Sequence, residues 1–165
     1  MNLYILRHAQ AEDVGAAGDE ARRLTARGRE RAREAAVGMR AFGLKFDAIL
    51  TSPLARAAET GEQVAAAYAN EPSPLVVPEL AAGVAAGDAA NALAAFARYE
   101  NVMVVGHEPQ LSALVSLLLT GSPGGFHLRF RKGGCVALEL SNRVERGGAE
   151  LQWMMTQRQL RKLRK

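Results

Sequence analysis

Short apolar runs alternate with stretches of helical apolar spacing through the first 120 residues. The predicted strands are 2–6, 47–51, 75–77 and 101–106, and the predicted helices are 25–42, 53–69, 89–98 and 109–120. This alternation predicts an α/β fold, a three-layer sandwich in which helices cover both faces of a mostly parallel central sheet.

The predicted helices begin at residues that favour helix starts. Thr25 is expected to cap the first helix, and Asp88 is expected to cap the third. Ser52 is predicted as the cap of the second helix because Pro53 follows it at the first helical position. Pro109 is predicted to start the fourth helix.

The last 40 residues predict strands again, at 126–131, 135–140 and 150–155. In the first of these runs Phe126, Leu128 and Phe130 alternate with polar residues, the pattern of a half-exposed strand. No linker long enough to divide the chain is present. We therefore expect a single domain over residues 1–156, followed by a basic tail over 157–165.

Charge and composition refine this picture. The chain is 48% apolar but only 5% aromatic, which suits helices packed on a sheet. The net charge is +4, and residues 157–165 carry five cations and no acid, which leaves −1 for the first 156 residues. The excess of positive charge belongs to the tail, unlike a nucleic-acid footprint spread over a whole face.

Targeting signals and disulfides are not expected. Residues 1–7 lack the charged start and long apolar stretch of a signal peptide, and no 18-residue window is apolar and uncharged. Cys135 is the only cysteine and lies in an apolar run, so it is predicted as a small buried hydrophobe. We expect a cytoplasmic protein.

Three predicted strands are followed by residues whose side chains can bind a ligand or take part in catalysis. Arg7 and His8 follow the first strand, Arg56 follows the second, and His107 and Glu108 follow the strand at 101–106. Ligands of parallel sheets bind at the carboxyl ends of strands, so two histidines and two arginines are expected to converge there.

Such a group of residues is suited to phosphate. Arginine forks match phosphate oxygens with paired hydrogen bonds, and a helix start adds free N–H groups. The arginines disfavour protonation of a nearby imidazole, so His8 is expected to be neutral and able to attack phosphorus. His107 could hydrogen-bond the equatorial oxygens as charge builds there.

Other kinds of catalytic or binding site fit the sequence less well than a metal-free phosphate site does. A metal site made of His8, His107 and Glu108 would lie beside two arginines that repel a cation, and no HExxH or HxH spacing occurs. A cysteine-phosphatase loop needs an arginine six residues after Cys135, where Ser141 stands, and no Walker-type glycine loop is present. We expect neither a metal nor another cofactor.

The motifs LRHA at 6–9, SPLARAAET at 52–60 and VGHEP at 105–109 resemble those of the histidine phosphatase superfamily, which has the phosphoglycerate-mutase-like fold. The chain length and the segments RRLTARG at 22–28, PEL at 78–80 and QWM at 152–154 resemble the SixA-type phosphohistidine phosphatases in particular. The resemblance extends from residue 3 to about residue 155.

The resemblance implies that His8 is the nucleophile and that Arg7, Arg56 and His107 complete the phosphate pocket. It also implies that Arg22 reaches the phosphate, although Arg23 could take that role. Members of this kind form a phosphohistidine intermediate that water hydrolyses, without a metal.

The proton donor for the leaving group is left open between Glu79 and Glu108, and Glu108 could instead cap the helix that Pro109 begins. A protonated phosphoramidate needs less help from an enzyme acid than a phosphate ester does. We therefore expect the substrate to be a phosphohistidine on a partner protein, such as a phosphotransfer domain, and the role to be in signalling. We expect a monomer.

Two alternatives remain. The same chemistry could serve a small phosphomonoester. Alternatively, the basic tail could make the chain a binding module for nucleic acid or an acidic partner, although Leu160 and Leu163 are also spaced as in a final helix that docks on the domain.

Overall fold

A sheet with helices on both faces forms the fold in the computed structural model, which describes residues 1–68, 72–141 and 143–164. The strands are β1 Asn2–Arg7, β2 Ala48–Thr51, β3 Leu75–Val76, β4 Asn101–Gly106, β5 Cys135–Leu140 and β6 Ala149–Met155. The helices are α1 Ala26–Ala41, α2 Ala55–Ala65, α3 Ala86–Leu93, α4 Gln110–Thr120 and α5 Gln157–Lys162. Two 3₁₀ turns, Pro78–Leu80 and Ala94–Phe96, lie on either side of α3.

The strand order determines which loops meet. Within the described residues the sheet has the order β3-β2-β4-β1-β5-β6. The first four strands of this order are parallel, whereas β5 is antiparallel to β1 and β6 is antiparallel to β5. The expectation of a mostly parallel sheet in a three-layer sandwich is confirmed. Because β2, β4 and β1 are neighbours, their carboxyl ends lie side by side.

The core has two halves because successive strand residues point to opposite faces. On β1, Leu3 and Ile5 pack in the cluster that includes α3 and α4. Tyr4 and Leu6 pack in the other cluster, with α1, α2 and α5. All four side chains are at most 7% exposed, so the sheet is covered on both sides.

The caps were predicted with mixed success. Thr25 caps α1, where its Oγ1 accepts a hydrogen bond from the Gly28 N–H at 2.9 Å. The predicted role of Ser52 is wrong, because α2 begins at Ala55 after Leu54 and no side chain caps it. Residue 69, the predicted end of this helix, lies outside the described residues, but the prediction is too long, because α2 already ends at Ala65.

Two further predictions are wrong. Asp88 lies inside the first turn of α3, which Ala85 precedes, and the α-helix gives way to a 3₁₀ turn after Leu93. Residues 126–131 form no strand. Since β5 is already paired with β1 on one side and β6 on the other, it has no free edge for this run.

The last described residues pack against the domain. Thr156 and Gln159 form a capping box at the start of α5, and Leu160 is fully buried. The Leu160 carbonyl oxygen would lie 1.8 Å from a Cβ on Gly38, so only glycine allows α1 and α5 to approach this closely. Arg161 and Arg164 pair with Glu34. Among the described residues, no helix combines the length and apolar character needed to cross a bilayer.

Candidate active site

Two histidines meet at the carboxyl edge of the sheet. His8 directly follows β1 and His107 directly follows β4, and the His8 N–H donates to the Gly106 carbonyl at 3.1 Å. Their ring centroids are 5.1 Å apart at an interplanar angle of 47°. Both residues are buried, at 5% and 2% exposure.

A pocket of about 310 Å³ opens beside the two imidazoles. Arg7 is the last residue of β1, and Arg56 is the second residue of α2 and only 4% exposed. The pocket is lined by Arg7, His8, Asp19, Arg22, Arg56, Ala82, His107, Glu108 and Lys132. The structure thus brings together the four residues that the sequence analysis centred on the phosphate.

The protonation of His8 is fixed by its neighbour. His8 Nδ1 lies 2.7 Å from the Ala9 carbonyl oxygen, which can only accept, so Nδ1 carries the proton and donates. The lone pair of the neutral ring is therefore on Nε2. Burial, aided by the positive charge of Arg56 and Arg7, lowers the pKa of His8 to about 3, although the bond to Ala9 opposes this. At neutral pH His8 has a free nucleophilic nitrogen.

Ser52 holds the second imidazole. Its Oγ lies 2.7 Å from His107 Nε2 and accepts from the Leu54 N–H at 3.2 Å. When the hydroxyl donates its own proton to Nε2, the proton of the neutral ring is on Nδ1. His107 Nδ1 is buried without a hydrogen-bond partner in the described part of the chain. Burial, followed by the charge of Arg56, lowers the pKa of His107 to about 4.

An aspartate links the arginines of the pocket. Asp19 accepts from Arg56 Nη2 through Oδ2 at 2.8 Å and from Arg22 Nη1 through Oδ1 at 2.7 Å. The hydrogen bond from Arg22 is the main cause that holds the pKa of the Asp19 carboxyl below its usual range. This carboxylate is bound by the same guanidinium groups that a phosphoryl group would use. Sequence reasoning missed it, because acids are ordinary in a polar loop.

Arg22 and Arg23, the two arginines of the loop before α1, differ in their position relative to the pocket. Arg22 lines the pocket and also donates from Nε to the Glu12 carbonyl at 2.5 Å. Arg23 is not among the lining residues and donates to Glu59 at 2.5 Å, with 68% of its side chain exposed. Of the two candidates for the extra arginine, only Arg22 is at the pocket.

The two candidate proton donors, Glu79 and Glu108, also differ in their position relative to the pocket. Glu108 lines the pocket, but its carboxylate accepts from the Ser112 N–H at 3.0 Å and from the Ser112 hydroxyl at 2.5 Å, within the first turn of α4. Glu79 is not a lining residue, and its carbonyl accepts from Gln110 Nε2 at 2.8 Å. Ala82, from the segment after Glu79, reaches the pocket instead.

Lys132 is a further cation that the sequence analysis did not single out. It precedes β5, which is antiparallel to β1 and therefore begins at the edge where β1 ends. Gly133 makes this junction possible: its φ is +69°, and its N–H donates to the carbonyls of Arg7 and His8 at 3.0 and 3.1 Å. The basic residues immediately before Gly133 were the available signal.

Helix α2 supports both the segment after His8 and the backbone of Arg56. Thr60 Oγ1 accepts from the Ala9 N–H at 3.1 Å and donates to the Arg56 carbonyl at 2.7 Å. Glu59 accepts from the Leu24 N–H at 2.9 Å and thereby secures the end of the loop that carries Asp19. In residues 1–68, 72–141 and 143–164 there is no group of three or more His, Cys, Asp or Glu placed to hold a metal.

Comparison with known proteins supplies independent evidence. The family model of the histidine phosphatase superfamily (branch 1) matches residues 3–81. An uncharacterized protein from Picosynechococcus sp. is 37% identical over 144 residues, which are 84% of each chain. The protein histidine phosphatase SixA, solved as a complex with tungstate, is 27% identical with a TM-score of 0.85, over 97% of this chain and 99% of that one. The α-ribazole phosphatase of Shigella flexneri has the same fold at 21% identity and a TM-score of 0.74, over 95% and 97%.

Proposed function

The chain belongs to the histidine phosphatase superfamily and is of the SixA type, and from this premise we propose that it hydrolyses phosphohistidine on another protein through a covalent phospho-His8. The observation that carries the proposal is the free Nε2 of a buried, neutral His8 in a pocket lined by cations. As a member of this superfamily the protein is a phosphatase, and the proposal concerns its substrate, its site residues and its independence of metal.

In the first step the phosphoryl group enters the pocket, and its oxygens displace Asp19 from Arg56 and Arg22. Arg7 and Lys132 add positive charge around the same volume. His8 Nε2 attacks phosphorus, a new P–N bond forms, and the P–N bond to the substrate imidazole breaks. The substrate imidazole enters this step protonated and leaves neutral. His107 stabilises the negative charge that builds on the equatorial oxygens.

In the second step water attacks the phosphorus of phospho-His8. The P–N bond to His8 breaks, the electron pair returns to Nε2, and the proton of water passes to the phosphate or to solvent. Inorganic phosphate leaves, and Asp19 can pair again with both arginines. The Nδ1–H bond to the Ala9 carbonyl keeps the ring in one orientation through both steps.

The choice of phosphohistidine rests on the state of the acids at the described pocket, none of which is a ready proton donor. Asp19 lines the pocket, but its hydrogen bonds from Arg22 above all, and from Arg56, hold the pKa of its carboxyl below the usual range, so it is ionised. Glu108 is held by Ser112, and Glu79 is not a lining residue. An ester has an alkoxide leaving group that needs a proton donor, an aid typically worth roughly 100- to 10,000-fold. The imidazole of phosphohistidine carries its own proton and does not need one.

A small phosphomonoester is the second candidate. Glu108 does line the pocket, and release from Ser112 would give it access to a leaving alcohol. The α-ribazole phosphatase with the same fold supports this alternative. We rank it second because the release would break two hydrogen bonds.

A quenched-flow experiment tests the proposal. The enzyme is mixed with a ³²P-labelled phosphohistidine protein, and we expect a transient label on His8 that is stable to alkali and lost in acid. His8→Asn should give no label and no turnover. Turnover of aryl or sugar phosphates with no turnover of the phosphohistidine protein would replace the leading substrate by the second. Full activity of His8→Asn would refute the mechanism.

A further inference from the structure

A cationic segment borders the pocket on one side. Residues 126–132, which we call the basic segment, include Arg129, Arg131 and Lys132, all exposed to solvent. Residues 121–134 contain no acid. None of the three cations forms an ion pair with a residue that the structure describes. Positive charge is concentrated here although residues 1–156 together carry a net charge of −1.

The basic segment is anchored to the nucleophile strand. The Phe130 carbonyl accepts from Arg7 Nη1 at 2.6 Å, and the Phe130 side chain is 4% exposed. Beyond the segment, the Gly133 N–H donates to the carbonyls of Arg7 and His8. The backbone is therefore fixed against the site, while the charged side chains are free to meet another molecule.

Arg129 and Arg131 are not required to bind a phosphoryl group in the pocket. The pocket already contains Arg7, Arg22, Arg56 and Lys132, whereas Arg129 and Arg131 do not line it. They flank Phe130, whose carbonyl accepts from Arg7, and Arg131 directly precedes the lining residue Lys132, so they are placed to contact the surroundings of a phosphoryl group rather than the group itself. The same segment begins with Phe126, which is 39% exposed, and arginine and aromatic residues are enriched at protein interfaces.

We propose that the basic segment docks a protein whose phosphohistidine is bordered by Asp and Glu side chains. This inference rests on the proposed function and names the surface chemistry of its partner. Complementary charge steers encounter and can raise association rates by roughly 10- to 1000-fold at low salt. A protein partner is favoured over nucleic acid because the segment flanks a pocket for one phosphoryl group and its cations number only three.

Charge reversal outside the pocket provides the test. Arg131→Glu and Arg129→Glu are compared with Lys45→Glu, which reverses an exposed cation before β2, at the opposite end of the sheet. We measure kcat/KM at 20 and 300 mM salt (about the range over which screening changes) for an acidic phosphohistidine protein and for p-nitrophenyl phosphate.

We expect Arg131→Glu to lower kcat/KM for the phosphoprotein roughly tenfold at low salt and less at high salt. Turnover of p-nitrophenyl phosphate should stay at the wild-type level, and Lys45→Glu should behave as wild type on both substrates. Equal losses on both substrates, or no loss on the phosphoprotein, would overturn the inference.

A binding measurement separates this inference from the proposed function. His8→Asn and His8→Asn/Arg131→Glu are titrated with the phosphoprotein and with a fluorescent DNA duplex. Weaker phosphoprotein binding by the double variant supports docking even if wild type fails to hydrolyse that protein, a failure that would count against the proposed function alone. Equal binding by both, or loss of DNA binding only, overturns the docking proposal.

Discussion

Acidification should destabilise the fold through His8 more than through an ordinary histidine. The unfolded pKa is about 6.5, and burial lowers the folded pKa to about 3. A group whose folded pKa is depressed contributes its full stability above pH 6.5 and loses it as pH falls toward 3, because the unfolded state binds the proton first. We therefore expect the wild type to lose stability through this residue between pH 7 and 4.5.

The size of this loss of stability follows from the difference between pH 4.5 and the pKa of His8 in the unfolded state, about 6.5. The difference is about two pH units. At about 1.4 kcal/mol per unit, and with little protonation of folded His8 at pH 4.5, the contribution is about 2–3 kcal/mol. His8→Asn removes it while an amide nitrogen remains near the position of Nδ1, where it can still donate to the Ala9 carbonyl. Acidification should therefore reduce the free energy of unfolding of the variant by about 2–3 kcal/mol less than that of wild type.

Urea unfolding at both pH values measures this double difference. His127→Asn is the control, since it makes the same substitution at a histidine that is exposed and does not line the pocket. An equal drop in wild type and His8→Asn would refute the reasoning, because it would mean that folded His8 accepts its proton as readily as the unfolded chain does.

Three further predictions concern supporting residues. Thr60→Val should lower kcat roughly tenfold by releasing the Ala9 N–H and loosening His8, whereas Thr60→Ser should restore most of it; equal kcat for both variants would contradict this role. Ser52→Ala should likewise lower kcat roughly tenfold with a smaller change in KM, measured by steady-state kinetics, because His107 loses its orienting partner. Leu160→Ala should cost about 2–5 kcal/mol in urea unfolding and leave kcat/KM of the folded enzyme unchanged; an unaffected midpoint would show that α5 adds no stability.

The sheet could be predicted from the sequence because its strands leave a plain local signal. Residues 102–105 are an uninterrupted apolar run, and they lie inside β4, which has the predicted bounds of 101–106. Thr25 was predicted as a cap because its hydroxyl acts on its own helix, three residues away. Since strand ends of a parallel sheet meet, the encounter of His8 and His107 followed from the same pattern.

The errors arose where a distant partner decides the outcome. Ser52 has the side chain of a cap, but its hydroxyl bonds His107 across the sheet edge. Phe126 and Phe130 alternate as in a strand, yet β5 offers their run no free edge. The place of Asp19 depends on Arg22 and Arg56 together, a long-range arrangement that no local spacing encodes.

The reversed direction of β5 brings the residues that precede it, Lys132 among them, to the sheet edge where His8 and His107 lie. A parallel β5 would have ended where it now begins, and its preceding residues would lie at the far side of the molecule. As it stands, Phe130 fixes this connection to the core, and the exposed Arg129 and Arg131 on either side of it can change charge while the ladder between β1 and β5 stays intact. Under the docking proposal, the charge that meets a partner can thus be altered without replacing any side chain that lines the pocket.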